Sequence, residues 1–156
     1  MAKELAEGDS APEFELPTDG GGRTGLADLK GKPAVIYFYP KDDTSGCTAE
    51  AIAFNGLRAK FSAAGTAVIG VSPDSAASHD KFKRKHDLTI ALAADPQRST
   101  IEAYGVWKEK SMYGRKYFGV ERSTFLIDRS GRIARVWRKV KVPGHAEEVL
   151  AAAKAL

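Results

Sequence analysis

The 156-residue sequence contains a single cysteine, Cys47, so it cannot form a disulfide within itself. It also lacks any apolar run near the roughly 18 residues that a transmembrane helix requires. The opening stretch, MAKELAEGDSAPEFELPTDG, has acidic residues and no apolar segment of the kind found in secretory signals. These absences give no sign of an oxidising compartment or a membrane, and they predict a cytoplasmic protein.

Carboxylates are scarce in one part of the chain. Between Arg115 and Lys141, nine lysines and arginines are opposed only by Glu121 and Asp128. A basic stripe of this kind attracts nucleic acid or an acidic protein. Aromatic-rich RNA-binding motifs are absent, and strands with solvent-facing cations explain the same pattern. A non-catalytic interaction module that uses the basic 115–141 surface therefore remains the alternative function.

Strands and helices alternate along the chain. Compact apolar runs rich in β-branched and aromatic residues predict buried strands at 33–40, 66–73 and 89–96. Helices are predicted at 47–64, at 75–88, over a short stretch that ends at Gly105, and from Gly144 to the end. A β-hairpin turns at 128–131, and 110–119 is interpreted as an exposed, aromatic-rich loop. This order predicts a single α/β domain over residues 1–156, with a mixed central sheet flanked by helices, as in the thioredoxin-like fold.

Cys47 follows the first predicted strand and begins the first predicted helix. The thiolate is the reactive form of cysteine, and an ordinary thiol with a pKa near 8.5 is only about 3% ionised at pH 7. A helix N-terminus stabilises an anion by about 0.3–1 kcal/mol, which corresponds to less than one pKa unit. The neighbouring charges do not help, since Lys41 is offset by Asp42, Asp43 and Glu50. A reactive thiol here therefore needs a cation from elsewhere in the fold.

Arg122 is the expected cation. It opens the predicted strand RSTFLID, which should lie beside the strand that precedes Cys47. Thr44 offers a hydroxyl at the same turn, and Pro40 ends the strand without a free N–H and can shield a pocket from water. A buried, inert cysteine is the alternative interpretation of a lone thiol.

Pro40, Thr44 and Cys47 form the pattern P-x-x-x-T-x-x-C, which resembles the active-site motif of the peroxiredoxins. The stretches FYPKDDTSGCTAEA, YGVW and STFLID resemble the peroxiredoxin Q (bacterioferritin comigratory protein) subfamily, over nearly the whole chain. The resemblance implies an AhpC/TSA-type domain and a thiol-dependent peroxidase that needs no cofactor and no metal. In such an enzyme Cys47 attacks a hydroperoxide and becomes a sulfenic acid. The resemblance also implies that Thr44 and Arg122 orient the peroxide, that Pro40 limits solvent access, and that Glu50 braces the network.

The sequence departs from the subfamily at Ile52, where many members carry a resolving cysteine. Helical geometry places this position about 140° around the helix from Cys47, away from the face marked by Phe54 and Phe61. The predicted helix at 75–88, where other members place that cysteine, contains none. We therefore expect a one-cysteine cycle in which an external thiol, from thioredoxin or from glutathione with glutaredoxin, reduces the sulfenic acid. An engineered replacement at position 52 remains an open alternative, and the subfamily favours a monomer or weak dimer.

Two other catalytic interpretations are weaker. His79, His86 and His145 are widely spaced and are predicted to lie at the surface, which disfavours both a metal site and a cysteine–histidine pair. Thr44 stands where a CxxC motif would have its first cysteine, and this disfavours a thiol–disulfide oxidoreductase.

Overall fold

A computed structural model describes residues 4–156 as nine strands, five α-helices and two short 3-10 helices. The strands are β1 (Glu15–Pro17), β2 (Arg23–Gly25), β3 (Ala34–Phe38), β4 (Ala67–Ser72), β5 (Ala91–Ala94), β6 (Trp107–Met112), β7 (Arg115–Val120), β8 (Ser123–Ile127) and β9 (Ile133–Trp137). The helices are α1 (Ser45–Gly56), α2 (Arg58–Ala63), α3 (Ala76–His86), α4 (Ser99–Ala103) and α5 (His145–Lys154). No helix in this part of the chain combines the length and the apolar character needed to cross a membrane.

Five strands form the central sheet, in the order β5-β4-β3-β8-β9. The pairs β3–β4 and β4–β5 are parallel, whereas β3–β8 and β8–β9 are antiparallel. This confirms the predicted mixed sheet, the predicted strands and the hairpin at the end of the sheet. The prediction that the strand after Arg122 lies beside the strand before Cys47 is also confirmed.

The middle strand β3 separates two hydrophobic cores, because successive side chains of a strand point to opposite faces. Val35 and Tyr37 pack with apolar residues of α1, α2, α3 and α5. Ile36 and Phe38 pack on the other face with α4, the β1–β2 segment and the start of β6 and end of β7. All five residues of β3 are buried, so the strand is a fixed support for the segment that follows it.

The predicted helix at 47–64 is wrong in one respect, because the structure divides it into α1 and α2. Leu57 lies between them, and its N–H donates to the Phe54 carbonyl rather than to the residue four positions earlier. Gly56 precedes this break, and glycine is a weak helix former. Gly65, with a φ of 68°, follows the end of α2 as predicted.

The segment predicted as an exposed loop at 110–119 is instead part of a regular β-hairpin. Its strands β6 and β7 are joined by Tyr113 and Gly114, which have φ values of 51° and 77°. A two-residue turn with positive φ at both positions matches the right-handed twist of the strands it joins. Within residues 4–156, β6 and β7 pair only with each other, so the hairpin forms a ribbon separate from the central sheet.

Candidate active site

Cys47 lies in the first turn of α1, beyond the C-terminal end of β3. The backbone N–H of Thr48 donates to the Thr44 carbonyl at 2.8 Å and closes this turn. The N–H groups before it have no intrahelical partner and favour an anion nearby. The thiol packs in the same core as Tyr37 and Phe54, and the residue is only 1% exposed.

Arg122 supplies the cation beside the thiol. Because Phe38 pairs with Ser123, the residue before β8 lies next to the end of β3. The Arg122 Nη2 is 3.4 Å from the Cys47 Sγ and donates a hydrogen bond to it. Gly46 makes this approach possible, since a Cβ at that position would lie 3.1 Å from the same nitrogen. The sequence predicted that Arg122 would be this cation, but nothing in the sequence indicated that position 46 must be a glycine.

Glu50 holds the other side of the guanidinium. The Arg122 Nη1 donates to the Glu50 Oε1 at 2.7 Å, while the Oε2 has no hydrogen-bond partner among the described residues. Burial raises the pKa of Glu50 to about 7, although the charge and hydrogen bond of Arg122 lower it. The carboxyl group therefore titrates near neutral pH. Its protonation state decides how much of the Arg122 charge remains for the thiol.

Asp42 is turned away from Cys47 into a buried hydrogen-bond network. Its carboxylate accepts from the Tyr39 hydroxyl at 2.6 Å, from the Ser78 hydroxyl at 2.8 Å and from the His79 Nδ1 at 2.7 Å. The prediction of a surface position is wrong for His79, which is fully buried. Its Nε2 lies 3.0 Å from the Ala93 carbonyl, which can only accept a hydrogen bond.

Asp43 is likewise directed toward α3. Its carboxylate binds Lys85 at 2.6 Å and His86 at 2.9 Å, and these hydrogen bonds, that of His86 first, lower the pKa of Asp43. With Asp42 held by α3 as well, two of the three acids that the sequence places near Cys47 are paired away from the thiol, and the third, Glu50, binds Arg122. This explains how a thiol with acidic neighbours in sequence has mainly Arg122 beside it in space.

The third histidine, His145, is also buried rather than exposed at the surface. Its Nε2 lies 2.8 Å from the Thr124 hydroxyl, and burial lowers the pKa of the ring. The half-buried His86 alone fits the surface prediction. Within residues 4–156, no three His, Cys, Asp or Glu side chains gather in a way that could hold a metal ion.

Thr44 and Pro40 lie at the same end of the sheet as Cys47. Thr44 is the residue before α1, and its exposed hydroxyl donates to the Lys41 carbonyl at 2.9 Å. This bond uses the proton of the hydroxyl and leaves its oxygen available as an acceptor. Pro40 is half-buried and follows Tyr39 directly at the end of the β3 segment.

The nine cations of the basic segment do not form one stripe. Arg122 lies in the thiol site, whereas Arg129 lies at the β8–β9 turn, at the opposite end of the central sheet. Arg135 stacks over Trp137, and Arg138 pairs with Glu4. The fold thus disperses a charge that appears continuous in the sequence.

A buried thiol at a strand–turn–helix junction of a mixed sheet, facing a guanidinium, defines a thioredoxin-fold thiol enzyme. The sequence pattern of the AhpC/TSA family matches residues 7–136. The peroxiredoxin Bcp of Bacillus subtilis is 50% identical over 143 residues, which cover 92% of this chain and 91% of that protein. The chain therefore belongs to the AhpC/TSA family and is a peroxiredoxin, a thiol-dependent peroxidase.

Solved structures agree with this assignment. A cysteine-to-serine mutant of PrxQ from Xylella fastidiosa superposes with a TM-score of 0.93 at 42% identity, covering 99% of this chain and 98% of that one. The bacterioferritin comigratory protein of Xanthomonas campestris superposes with a TM-score of 0.87 at 47% identity, covering 91% of this chain and 90% of that one. The structure of that protein concerns its reduction of alkyl peroxides, with trapped intermediate and ligand complexes. The thioredoxin-like fold expected from the order of strands and helices is confirmed.

Proposed function

We propose that Cys47 reduces hydrogen peroxide and organic hydroperoxides by direct attack on the peroxide. The observation that carries this proposal is the 3.4 Å hydrogen bond from the Arg122 guanidinium to the buried sulfur. The thiolate attacks the terminal oxygen, the O–O bond breaks, and the leaving oxygen departs as water or an alcohol after taking a proton. Cys47 is left as a sulfenic acid.

Three further residues assist the step in this proposal. Arg122 stabilises the negative charge that develops along the breaking O–O bond, because its guanidinium is already oriented by Glu50. The Thr44 hydroxyl oxygen accepts a hydrogen bond from the peroxide, since the hydroxyl proton is already donated to the backbone carbonyl of Lys41. Pro40 keeps bulk water from the pocket, since it packs at the end of β3 and carries no N–H that water could solvate.

The oxidised Cys47 is reduced by a thiol from outside the chain. Residues 1–156 contain no second cysteine, so no internal disulfide can form. Ile52 is 49% exposed and points away from the core, as helical geometry predicted. We propose thioredoxin, or glutathione with glutaredoxin, as the reductant of a cytoplasmic monomer or weak dimer. In this proposal the whole chain, 1–156, is one domain, with neither nucleic acid nor membrane as a partner.

A non-catalytic interaction module is the second candidate function. It would use the basic 115–141 surface, but the fold divides those cations among the thiol site, a hairpin and both ends of the sheet. Such a module would bind polyanions with strong salt dependence and would leave Cys47 unreactive.

The decisive measurement is the rate of sulfenic acid formation on Cys47 with hydrogen peroxide, followed by intact mass. A Cys47→Ser protein and the unfolded wild-type chain serve as controls. We expect the folded thiol to react orders of magnitude faster than the unfolded one, because the pocket supplies a cation and oriented N–H groups. Equal rates in the folded and unfolded chains would refute the proposal.

A further inference from the structure

The β6–β7 hairpin exposes apolar side chains that no described part of the chain covers. Its strands pair only with each other within residues 4–156. Of the six large apolar residues that are exposed in this part of the chain, four lie on the hairpin: Met112, Tyr113, Tyr117 and Phe118. Tyr113 at its tip is 98% exposed. Exposed apolar side chains that are concentrated on one element in this way are typical of interaction sites.

The two faces of the hairpin differ in charge. Directly paired residues of antiparallel strands share a face, and the register pairs Lys108 with Gly119, Lys110 with Tyr117 and Met112 with Arg115. These six residues form what we call the basic face, which has three cations and no carboxylate. The opposite face carries Glu109 with Lys116, and it stacks Trp107 on Phe118.

The basic face lies beside the active site. Strand β7 ends only two residues before Arg122, which binds the Cys47 sulfur. Burial lowers the pKa of Lys110 and the Arg122 charge lowers it further, whereas Cys47 and Glu121 raise it. Lys110 thus lies within electrostatic range of both site residues. Lys108 lies nearer the base of the hairpin, and Met112 and Arg115 continue the basic face toward the exposed tip.

We propose that the basic face of the hairpin docks the protein that carries the reducing thiol, and that this protein is acidic around its thiol. This inference rests on the proposed function, since it concerns reduction of the Cys47 sulfenic acid. Three cations without a carboxylate complement an acidic partner, while Met112 and Tyr117 supply apolar contact area. A second copy of this chain does not fit, because a symmetric contact would oppose the basic face to itself.

Burial of Cys47 explains why a docking surface is needed. At 1% exposure, the sulfur meets another protein's thiol only when the start of α1 opens. A partner held on the hairpin stays at high effective concentration beside the pocket and can react during such openings. A freely diffusing thiol must instead arrive at the moment of opening.

The redox step balances without further reagents. The partner's thiol attacks the Cys47 sulfenic sulfur, an S–S bond forms, the S–O bond breaks, and the hydroxyl leaves with the thiol proton as water. A second thiol of the same partner then loses its proton to solvent and attacks the partner sulfur of the mixed disulfide, so that a new S–S bond forms within the partner and the bond to Cys47 breaks. The partner leaves oxidised to a disulfide, and Cys47 leaves as the thiolate.

The test separates peroxide reduction from recycling. Cys47 is first oxidised with one equivalent of hydrogen peroxide, and the sulfenic acid is then reduced either by an acidic reduced thioredoxin or by dithiothreitol. The test variant is Lys108→Glu/Arg115→Glu, which reverses two charges on the basic face. The control is Lys30→Glu/Lys32→Glu, the same charge change at exposed positions before β3, at the far end of the sheet.

We expect the test variant to be reduced by thioredoxin at least about tenfold more slowly at low salt, with oxidation by peroxide and reduction by dithiothreitol unchanged. The control should keep the wild-type rate, and high salt should slow the wild type toward the test variant. Arg115→Glu alone, at the exposed end of the hairpin, should give a smaller loss in the same direction.

Several outcomes would overturn the proposal. Equal slowing in the test and control variants would show an effect of net charge alone, and no slowing in either would remove the docking role. Anionic vesicles or duplex DNA that bind the wild type and lose binding in the test variant, with thioredoxin reduction unaffected, would assign the face to a different partner. If wild-type Cys47 forms no sulfenic acid, the proposed function fails and the docking role fails with it. Normal oxidation followed by charge-independent reduction refutes the docking alone.

Discussion

The single positive charge of Arg122 is shared between two neighbours, the Glu50 carboxyl and the Cys47 sulfur. Its guanidinium binds the Glu50 carboxyl through Nη1 and the Cys47 sulfur through Nη2. When Glu50 is ionised, the Arg122–Glu50 pair is close to neutral and attracts a thiolate weakly. When Glu50 is protonated, the full charge of Arg122 faces the sulfur. The buried carboxyl therefore acts on the thiol through the arginine, without touching it.

Replacing Arg122 with lysine tests whether the forked geometry of the guanidinium is needed. A lysine keeps the charge but cannot present two parallel N–H donors in one plane. We expect Arg122→Lys to lower the rate constant for sulfenic acid formation on the order of 10²-fold, the usual effect of losing one oriented donor to developing charge. Stopped-flow kinetics with hydrogen peroxide measures this rate. Arg135→Lys, whose guanidinium stacks over Trp137 outside the site, is the matched control and should leave the rate unchanged.

Glu50 should make stability fall as pH rises toward neutrality. Burial raises its pKa in the folded chain from 4.5 to about 7, so the folded state binds the proton more tightly than the unfolded state. Its contribution is fully present below about pH 4.5 and is lost as pH rises through about 7. Relative to Glu50→Gln, we expect the free energy of unfolding of the wild type to fall by about 3 kcal/mol over this interval. Urea denaturation of both proteins from pH 4 to 8 measures the difference, and a flat difference would contradict the burial argument.

At the scale of elements, helix α1 contains two glycines with opposite surroundings. A Cβ on Gly46 would lie 3.1 Å from the Arg122 Nη2, whereas a Cβ on Gly56 would meet no atom within 4 Å. Since alanine favours helix over glycine, neither change should destabilise α1 through helix propensity. The two substitutions therefore separate crowding of the guanidinium from a general effect on the helix.

We expect Gly46→Ala to displace the Arg122 Nη2 by a few tenths of an ångström and to slow sulfenic acid formation about tenfold, since even small misplacements of a catalytic group are costly. Gly56→Ala should react at the wild-type rate and be as stable as the wild type or slightly more stable. Peroxide kinetics and thermal denaturation of both variants provide the comparison. Equal rates in the two variants would show that the site tolerates a shift of the arginine.

The elements that could be predicted from the sequence are those with strong local patterns. The apolar runs and their alternation with predicted helices were enough to predict the mixed sheet. The expected pairing of β3 with β8 was enough to predict that Arg122 lies near Cys47. His79 was wrongly predicted because a polar helix gives no sign of burial when the partner, Asp42, lies on a distant segment. The β6–β7 hairpin was missed because Tyr113–Gly114 is a weak turn signal and neither face is uniformly apolar. The need for glycine at position 46 could not be predicted, because it depends on the Arg122 side chain, which comes from a distant segment of the chain.

At the scale of the whole molecule, the single cysteine makes the oxidised state long-lived. No second thiol within residues 1–156 can intercept the Cys47 sulfenic acid, so a second peroxide can convert it to the sulfinic acid. We expect repeated peroxide doses without reductant to add two oxygens to the intact mass. Ile52→Cys is the comparison variant, and it should form a disulfide instead, with loss of helical signal because position 52 faces away from Cys47. Persistence of the single-oxygen product in the wild type would contradict this expectation.

Because Cys47 is the only thiol in the sequence and is 1% exposed, its reaction with a thiol reagent reports how often the pocket around it opens. A bulky aromatic disulfide reagent can label the sulfur only in molecules whose pocket has transiently come apart. Its labelling rate in the folded protein, divided by the rate in the unfolded chain, gives the fraction of time the pocket stands open. Each factor of ten in that ratio corresponds to about 1.4 kcal/mol of opening free energy. An absorbance assay with this reagent can therefore measure local opening at the catalytic centre without isotopes or an engineered label.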